Sequence, residues 1–267
     1  MVCGKNMSSN NYAIYFAGMD LNADLLRGAV KCIRSNTDLS CQIYVGLEQK
    51  KLNIDGVTEL GCASGRQWTG RVREHLNQIS EEKIILLLED YFTCGFDNNT
   101  VNEVSSIMNC YNAGVVKLHA VPRPDYGIAG RPNLGIFLLG KKISRVNTQQ
   151  AIGQKTYLQK LLFEDENLWE FEVNSAVRSN SLSFNVLGVY KHAITYDEVV
   201  KRGKFRNRYR WKYAEFLESE NIANNRGFLS LSEEILIEIF HLFTKVTQPI
   251  ASQHIRTKLR SILGHLK

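Results

Sequence analysis

The stretch KIILLLEDYF, residues 83 to 92, joins an apolar run to two adjacent acids and two aromatic residues. A short apolar run bounded by polar residues predicts a buried strand. A strand inside a sheet fixes the position of the residues that follow it. Glu89 and Asp90 are therefore either solvated acids at the end of a strand or carboxylates placed for a divalent cation, which prefers oxygen ligands.

On its amino-terminal side, this run belongs to an alternation of strand and helix patterns. The predicted strands cover residues 12–18, 41–47, 56–61 and 83–88. The predicted helices, with apolar residues at intervals of three and four, cover residues 23–36 and 67–80. The alternation predicts an α/β fold with a mainly parallel sheet flanked by helices. Ligands of such sheets bind beyond the carboxyl ends of the strands, where Glu89 and Asp90 lie.

The pattern after this region is less regular. Further strands are predicted over residues 115–121, 135–140 and 183–194. Helices are predicted over residues 98–114, where Gly114 would close the helix, from about Lys155, and, after a turn, within 167–180. From Tyr196 onward the pattern predicts only helices, over residues 196–205, 208–221, 231–246 and 252–266.

Length and composition describe a globular chain. With 267 residues, 44% of them hydrophobic, the chain is long enough for one large domain or a domain with a small appendage. No apolar run approaches the roughly 20 residues of a membrane-spanning helix, and we expect no secretory signal. Six cysteines without CxxC spacing favour reduced thiols and a cytoplasmic protein.

Positive charge is concentrated in one segment. The net charge is +6, and residues 201–212, KRGKFRNRYRWK, interleave basic with aromatic residues. Such a segment suits an anionic ligand. The candidates are a nucleotide, a nucleic acid and an anionic membrane surface. Within it, Lys204 is a candidate to neutralise a diphosphate, and the alternative is a solvated basic helix.

Two acids alternate with two aromatic residues in LWEFEVN, residues 168–174. If this segment is extended, Glu170 and Glu172 point to one side and both aromatic rings to the other. A carboxylate held in such a setting is a candidate general base. The alternative is a half-exposed segment whose aromatic rings pack inward.

Three further residues carry weaker signals. Trp68 and Arg71 are three positions apart on a predicted helix and share a face, and the arginine fork is suited to phosphate. The alternative for this pair is a solvated helix face. His192 follows a predicted strand, and a single histidine there is either a structural residue or a ligand.

The order of these segments resembles a group of bacterial glycosyltransferase-like proteins of surface polysaccharide (lipopolysaccharide or capsule) assembly. The resemblance covers about residues 12–215. It rests on the stretches WTGRVREHLNQI (68–79), KIILLLEDYF (83–92), YLQKLLFEDENLWEFE (157–172), VYKHAI (189–194) and RGKF (202–205). In that group an acidic pair follows a hydrophobic strand, a segment like WEFE lies in the second half, and a segment like GKW comes later.

The resemblance implies a GT-A-type fold, a Rossmann-like sheet with a helical extension. It implies one domain over residues 1–225, whose nucleotide-sugar half covers about 12–120 and whose acceptor half covers about 121–215. A C-terminal helical extension would then cover 226–267. In such proteins an acid-x-acid motif holds Mn²⁺ or Mg²⁺ against the donor diphosphate.

The resemblance also assigns roles to individual residues. Glu172 would be the catalytic base, with Glu170 as the second candidate. Metal ligation would fall to Asp90 and His192. Tyr91 departs from acid-x-acid spacing, which leaves Glu89 for the ribose or the sugar. The nucleotide-sugar site would comprise Asp20, Trp68, Arg71, Glu89, Asp90 and Lys204.

We therefore expect a glycosyltransferase that moves a sugar from a nucleotide sugar to a glycan or lipid-linked acceptor. The alternative is a non-catalytic nucleic-acid-binding module that uses residues 201–212. The last two predicted helices would pack on the core, pair two subunits as a homodimer, or dock on an anionic membrane. The expected location is the cytoplasm, with peripheral contact to the inner face of the cytoplasmic membrane in the last case.

Overall fold

The structure, a computed structural model, describes residues 12–37, 41–139, 145–163 and 165–247. Backbone contacts divide the chain after Glu198 into two compact units. We call them the sheet unit, which ends at Glu198, and the basic unit, which begins at Val199. The helix expected over 252–266 lies outside the described residues.

The described residues contain strands and helices in both units. The strands are β1 Ala13–Phe16, β2 Ile43–Gly46, β3 Thr58–Leu60, β4 Lys83–Leu87, β5 Tyr91–Phe96, β6 Ala113–Lys117, β7 Tyr126–Ile128, β8 Arg131–Phe137, β9 Ala151–Gln154, β10 Asn185–Val189, β11 Ile194–Glu198, β12 Val200–Lys201 and β13 Lys204–Phe205. The helices are α1 Ala23–Asn36, α2 Trp68–Gln78, α3 Asn98–Ile107, α4 Lys155–Leu161, α5 Leu168–Arg178, α6 Ala214–Ser219, α7 Ile222–Arg226 and α8 Leu231–Thr247.

The sheet unit is built on a nine-stranded sheet in the order β3-β2-β1-β4-β9-β6-β10-β8-β7. β1 pairs in parallel with β2 and β4, and β6 pairs in parallel with β10. Only β9 and β8 run against the direction of the other strands of this sheet. The predicted α/β fold with a mainly parallel sheet flanked by helices is therefore confirmed.

One face of this sheet is covered by α2, α4 and α5. Apolar side chains of these helices form a single buried cluster with strand residues that include Tyr15, Ile84 and Val186. The close approach of α4 depends on a glycine in β6, because the ring of Tyr157 lies directly over Gly114. Burial of this continuous apolar face holds the edges of the sheet in fixed positions.

The helix predicted over residues 196–205 is wrong. Tyr196 pairs with Thr93 in an antiparallel ladder between β11 and β5, which form a separate two-stranded sheet. Residues 200–205 form the β12–β13 hairpin, whose turn places Arg202 and Gly203 at positive φ (52° and 75°). Glycine adopts this conformation at low cost, which favours a tight turn over a helix here.

Two further expectations are corrected. The helix expected to close at Gly114 ends at Ile107, and Asn112, at φ 46°, makes the turn into β6. Not all cysteines are reduced thiols, because Cys110 is disulfide-bonded. The cysteines described as free are Cys32, Cys41, Cys62 and Cys94.

Within the described ranges, we find no helix both long enough and apolar enough to cross a membrane.

Candidate active site

Acidic residues follow the carboxyl ends of three neighbouring strands of the sheet unit. β1, β2 and β4 are parallel, so the chain leaves all three in the same direction. Asp20 follows β1, Glu48 follows β2, and Glu89 and Asp90 follow β4. The structure therefore brings these acids to the edge of the sheet at which ligands of parallel sheets bind.

Asp20 shapes the loop that follows β2. Its Oδ1 accepts the backbone N–H of Glu48 at 2.9 Å, and its Oδ2 accepts those of Gln49 and Lys50 at 3.1 Å each. Burial raises the pKa of Asp20, but these hydrogen bonds together outweigh burial and hold the pKa below its ordinary value. Asp20 is therefore ionised at neutral pH and fixes residues 48–50 at this edge.

Arg71 lies on α2 beside the same loop. Its side chain is largely buried, and Nη1 donates to the carbonyl oxygen of Arg66 at 2.8 Å and lies 3.6 Å from Oε1 of Glu48. Nε of Arg71 is buried without a hydrogen-bond partner in the described part of the chain. Arg71 is thus a fixed positive charge near the edge.

Trp68, the other predicted ligand of α2, has a different environment. Its ring is buried against Phe171 of α5, with ring centroids 5.0 Å apart. This contact belongs to the apolar cluster beneath the sheet edge. The geometry therefore gives Trp68 a packing role, and contact with a nucleotide sugar stays a prediction.

Glu89 and Asp90 are adjacent but occupy different environments. Glu89 is buried, and its Oε1 accepts a hydrogen bond from Nδ2 of Asn22 at 2.5 Å. This hydrogen bond connects the end of β4 to the segment after β1. Asp90 is only half-buried. The phenol of Tyr15 lies near Glu89 and Arg71. Burial is the main cause of its raised pKa, Glu89 raises this pKa further, and Arg71 lowers it. Of the two acids, Asp90 is the one that solvent and a ligand can reach.

Asp90 belongs to a group of side chains that we call the carboxylate–tyrosine cluster. Its members are Asp90, Tyr91, Glu172, Tyr196 and Glu198. The two tyrosine rings are stacked, with centroids 4.3 Å apart and planes at 21°. Burial, with the nearby carboxylates, raises the pKa of Tyr91 well above its ordinary value and that of Tyr196 to about 12. Both phenols therefore keep their protons at neutral pH.

Glu172 enters this cluster from α5. Its Oε1 accepts the backbone N–H of Thr148 at 3.0 Å and the hydroxyl of Thr148 at 2.7 Å. Oε2 accepts no hydrogen bond from any residue that the structure describes. Glu172 also lies close enough to Tyr91 to raise the pKa of that phenol. One oxygen of Glu172 is thus held in place, and the other is left for a substrate.

Glu170 has a structural task instead. It is exposed and closes a capping box at the start of α5, in which its Oε2 accepts the backbone N–H of Asn167 at 2.9 Å. The short helix predicted within 167–180 is therefore confirmed, and the extended alternative for residues 168–174 is wrong. The spacing of Asn167 and Glu170, typical of a capping box, was the local signal for the helix.

Residues just before β9 were missed by sequence analysis. Thr148 holds Glu172, and Gln149 lies beside Tyr196 and lowers its pKa, although burial outweighs this effect. Asn147 donates through Nδ2 to Oε1 of Gln149 at 3.1 Å. These polar residues carry no motif, and their role depends on β9 entering the sheet between β4 and β6.

Two histidines lie beside the cluster, near the carboxyl ends of β6 and β10. The rings of His119 and His192 have centroids 4.1 Å apart, and that of His119 lies 5.0 Å from Tyr196. Burial, then the proximity of His192, lowers the pKa of His119 to about 4. Nδ1 of His192 accepts the N–H of Ala120 at 3.1 Å, so the ring proton is on Nε2. This favours hydrogen-bond donation by His192 over metal ligation.

The predicted metal ion requires several side-chain donors or other ligands around it. In the portion of the chain that the structure describes, no three His, Cys, Asp or Glu side chains are grouped so that they could hold an ion. Mg²⁺ commonly takes one or two protein carboxylates and obtains its other ligands from phosphate and water. Asp90 therefore fits an ion that arrives with a diphosphate, and a site made by protein alone does not fit.

Lys204, the last predicted ligand, belongs to the basic unit. Its Nζ lies 3.0 Å from Oε1 of Glu233 on α8. Its role at a diphosphate stays a prediction.

The fold and this edge define an α/β protein with carboxylates beyond the ends of parallel strands. No protein-family model and no curated protein sequence matches the chain. Among solved structures, the chain is similar to S. aureus TarS 1–349, with 12% identity and a TM-score of 0.45, over 69% of this chain and 59% of that one. The chain thus spans less than two thirds of TarS 1–349.

Two other structures show similarity of the same order. One is 2-C-methyl-D-erythritol 4-phosphate cytidylyltransferase from Thermus thermophilus, with 12% identity, a TM-score of 0.43, and coverage of 79% of this chain and 98% of that one. The other is the glycosyltransferase GlyE of Streptococcus pneumoniae, with 12% identity, a TM-score of 0.40, and coverage of 79% and 50%.

Proposed function

We propose that the protein is a glycosyltransferase that moves a sugar from a nucleotide sugar to a hydroxyl of a glycan or lipid-linked acceptor. The observation that carries the proposal is that Asp90 and Glu172 both lie close enough to the Tyr91 phenol to raise its pKa. They come from distant parts of the chain and share the carboxylate–tyrosine cluster, with one oxygen of Glu172 left for a substrate. The resemblance of the sequence to surface polysaccharide transferases supports lipopolysaccharide or capsule assembly as the pathway.

The donor would bind along the edge formed by β1, β2 and β4. Residues 48–50, held by Asp20, would line the nucleotide, and the positive charge of Arg71 would favour its phosphates. Mn²⁺ or Mg²⁺ bound at Asp90 would supply charge neutralisation for the diphosphate. The neutral phenols of Tyr91 and Tyr196 can donate hydrogen bonds to phosphate or sugar oxygens.

Glu172 is assigned the proton transfer. Oε2 of Glu172 takes the proton of the acceptor hydroxyl. The hydroxyl oxygen of the acceptor then forms a bond to the anomeric carbon of the sugar. The bond between this carbon and the diphosphate oxygen breaks, and its electron pair leaves with the nucleoside diphosphate. Thr148 keeps Oε1 of Glu172 occupied, so that Oε2 faces the substrate.

Nucleoside diphosphates are expected to stabilise the protein against heat. At a concentration of 100 Kd, binding adds about 2.7 kcal/mol, which corresponds to an increase in Tm of about 5–11 °C for a unit of this size. The measurement is a melting curve with UDP and other nucleoside diphosphates, with and without Mn²⁺. Asp90→Asn is expected to remove the part of the increase that depends on Mn²⁺.

Asp55→Asn is the matched control for this experiment. Asp55 is exposed between β2 and β3, and its variant removes the same charge away from the edge. It should show the increase in Tm of the unchanged protein. No increase with any nucleoside diphosphate, in the presence or absence of Mn²⁺, would contradict the proposed donor.

The nucleic-acid alternative receives little support from the basic unit. Lys204, Arg206 and Arg208 all form ion pairs with glutamates of α8. These pairs reduce the positive charge that residues 201–212 offer to a phosphate backbone. Salt-sensitive retention of an arbitrary nucleic acid in filter binding would revive this alternative.

A further inference from the structure

The basic unit holds its arginines against α8. Arg206 is buried, and its Nη2 lies 3.0 Å from Oε2 of Glu234 and 2.7 Å from Oε1 of Glu238. Arg208 adds a second contact to Glu238, with Nη1 2.5 Å from the same oxygen. The start of the basic segment, residues 206–212, is therefore anchored beside one side of α8 by the ion pairs of Arg206 and Arg208.

That side of α8 borders an exposed apolar stripe. Leu231, Ile235 and Ile239 are spaced four residues apart, which places them along one side of the helix. Their exposed fractions are 71%, 51% and 59%, so the basic unit leaves most of their surface in water. Glu238, the anchor of both arginines, is one position from Ile239 and three from Ile235, so Arg206 and Arg208 lie beside the stripe.

Trp211 is an exposed aromatic residue of the basic segment. It is 85% exposed. The guanidinium of Arg210 lies 6.0 Å from the centre of its ring and 5.0 Å from that of Phe228. Tryptophan and arginine side chains are both favoured where apolar chains meet charged headgroups.

We propose that Leu231, Ile235, Ile239, Arg210 and Trp211 form a docking surface for an anionic phospholipid membrane. The stripe and Trp211 would enter the boundary between headgroups and acyl chains, and Arg210 would contact phosphate groups. The stripe would meet the acyl chains, and since Arg206 and Arg208 are paired with glutamates of α8, Arg210 is the basic side chain assigned to the negative layer. A second copy of the chain would present a like-charged basic segment to this surface, which disfavours it as the occupant.

The test is co-sedimentation of the full chain with vesicles of phosphatidylcholine alone or mixed with phosphatidylglycerol. The chain is expected to bind the mixed vesicles and to be released by salt, since headgroup attraction is screened. Ile235→Ser with Ile239→Ser should weaken binding at least about tenfold, because apolar area is lost from the buried face. Trp211→Ser should weaken it by several fold.

Trp169→Ser is the matched control. Trp169 is 72% exposed, but it lies in α5 next to Glu170 and outside the proposed surface. Its replacement should leave binding unchanged. All variants keep residues 248–267, so any contribution of those residues to binding is the same in each. The replaced side chains are exposed, and an unchanged melting temperature verifies that the variants fold.

Three results would overturn the proposal. The first is no binding to mixed vesicles, and the second is equal binding by the unchanged chain and the Ile235/Ile239 variant. The third is a dimer in light scattering that the same variant dissociates, which would assign the stripe to a second copy. None of these depends on sugar transfer, so the proposed function and the docking surface can fail separately.

Discussion

Glu172→Gln is expected to lower the rate of sugar transfer by about 10²–10⁴-fold, the usual contribution of a general base. Glutamine keeps the size of the side chain and an oxygen that can accept the hydrogen bonds of Thr148. It cannot take a proton from the acceptor hydroxyl. The loss should therefore appear in kcat, measured with a nucleotide-sugar donor and its acceptor, while the KM for the donor changes little.

Glu170→Gln is the matched control, two residues away on the same helix. It removes the same charge, and glutamine at the third helical position can still accept the N–H of Asn167 in the capping box. Transfer should stay close to that of the unchanged protein. Full activity in Glu172→Gln would remove Glu172 from the mechanism. Equal losses in both variants would indicate a general effect of charge on α5.

Gly114→Ala is expected to destabilise the sheet unit by about 3 kcal/mol, at the upper end of overpacking costs. A Cβ at this position would lie 2.5 Å from Cγ and 2.7 Å from Cε2 of Tyr157, a ring that is completely buried. Neither the strand nor the ring can move away without disturbing the contact of α4 with the sheet. The measurement is thermal unfolding, in which Tm should fall by about 6–12 °C.

Gly61→Ala and a second substitution at Tyr157 complete this test. A Cβ at Gly61 meets only the carbonyl oxygen of Glu48, at 3.4 Å, so its replacement should leave Tm nearly unchanged. Adding Tyr157→Leu to Gly114→Ala should recover part of the lost stability, because the clash is removed. A Tm for Gly114→Ala equal to that of Gly61→Ala would contradict the packing described here.

The first half of the fold could be predicted from local pattern alone. β1, β2, β3 and β4 were located by short apolar runs, and α1 and α2 by the helical period of their apolar residues. These elements are buried on one or both faces of a single sheet. Because burial of a strand or helix requires apolar residues at regular intervals, the spacing of neighbouring residues is enough to predict these elements.

β5, β9 and β11 could not be predicted in this way. β5 and β11 are stabilised by pairing with each other across about a hundred residues of chain. β9 contains Gly153 and Gln154, and its backbone pairs with β4 on one side and with β6 on the other. In each case backbone pairing to a distant segment replaces a local apolar signal.

The sequence by itself determined the edge at which Glu89 and Asp90 lie, because they directly follow a run of five apolar residues, which is buried as a strand of the sheet. It left open which acid a ligand can reach and what Glu172 contacts. Only the tertiary structure decided that Glu89 turns inward to Asn22, that Glu170 caps a helix, and that Thr148 holds Glu172 beside Tyr91. These contacts join residues far apart in the chain, so their geometry exists only once the strands have paired.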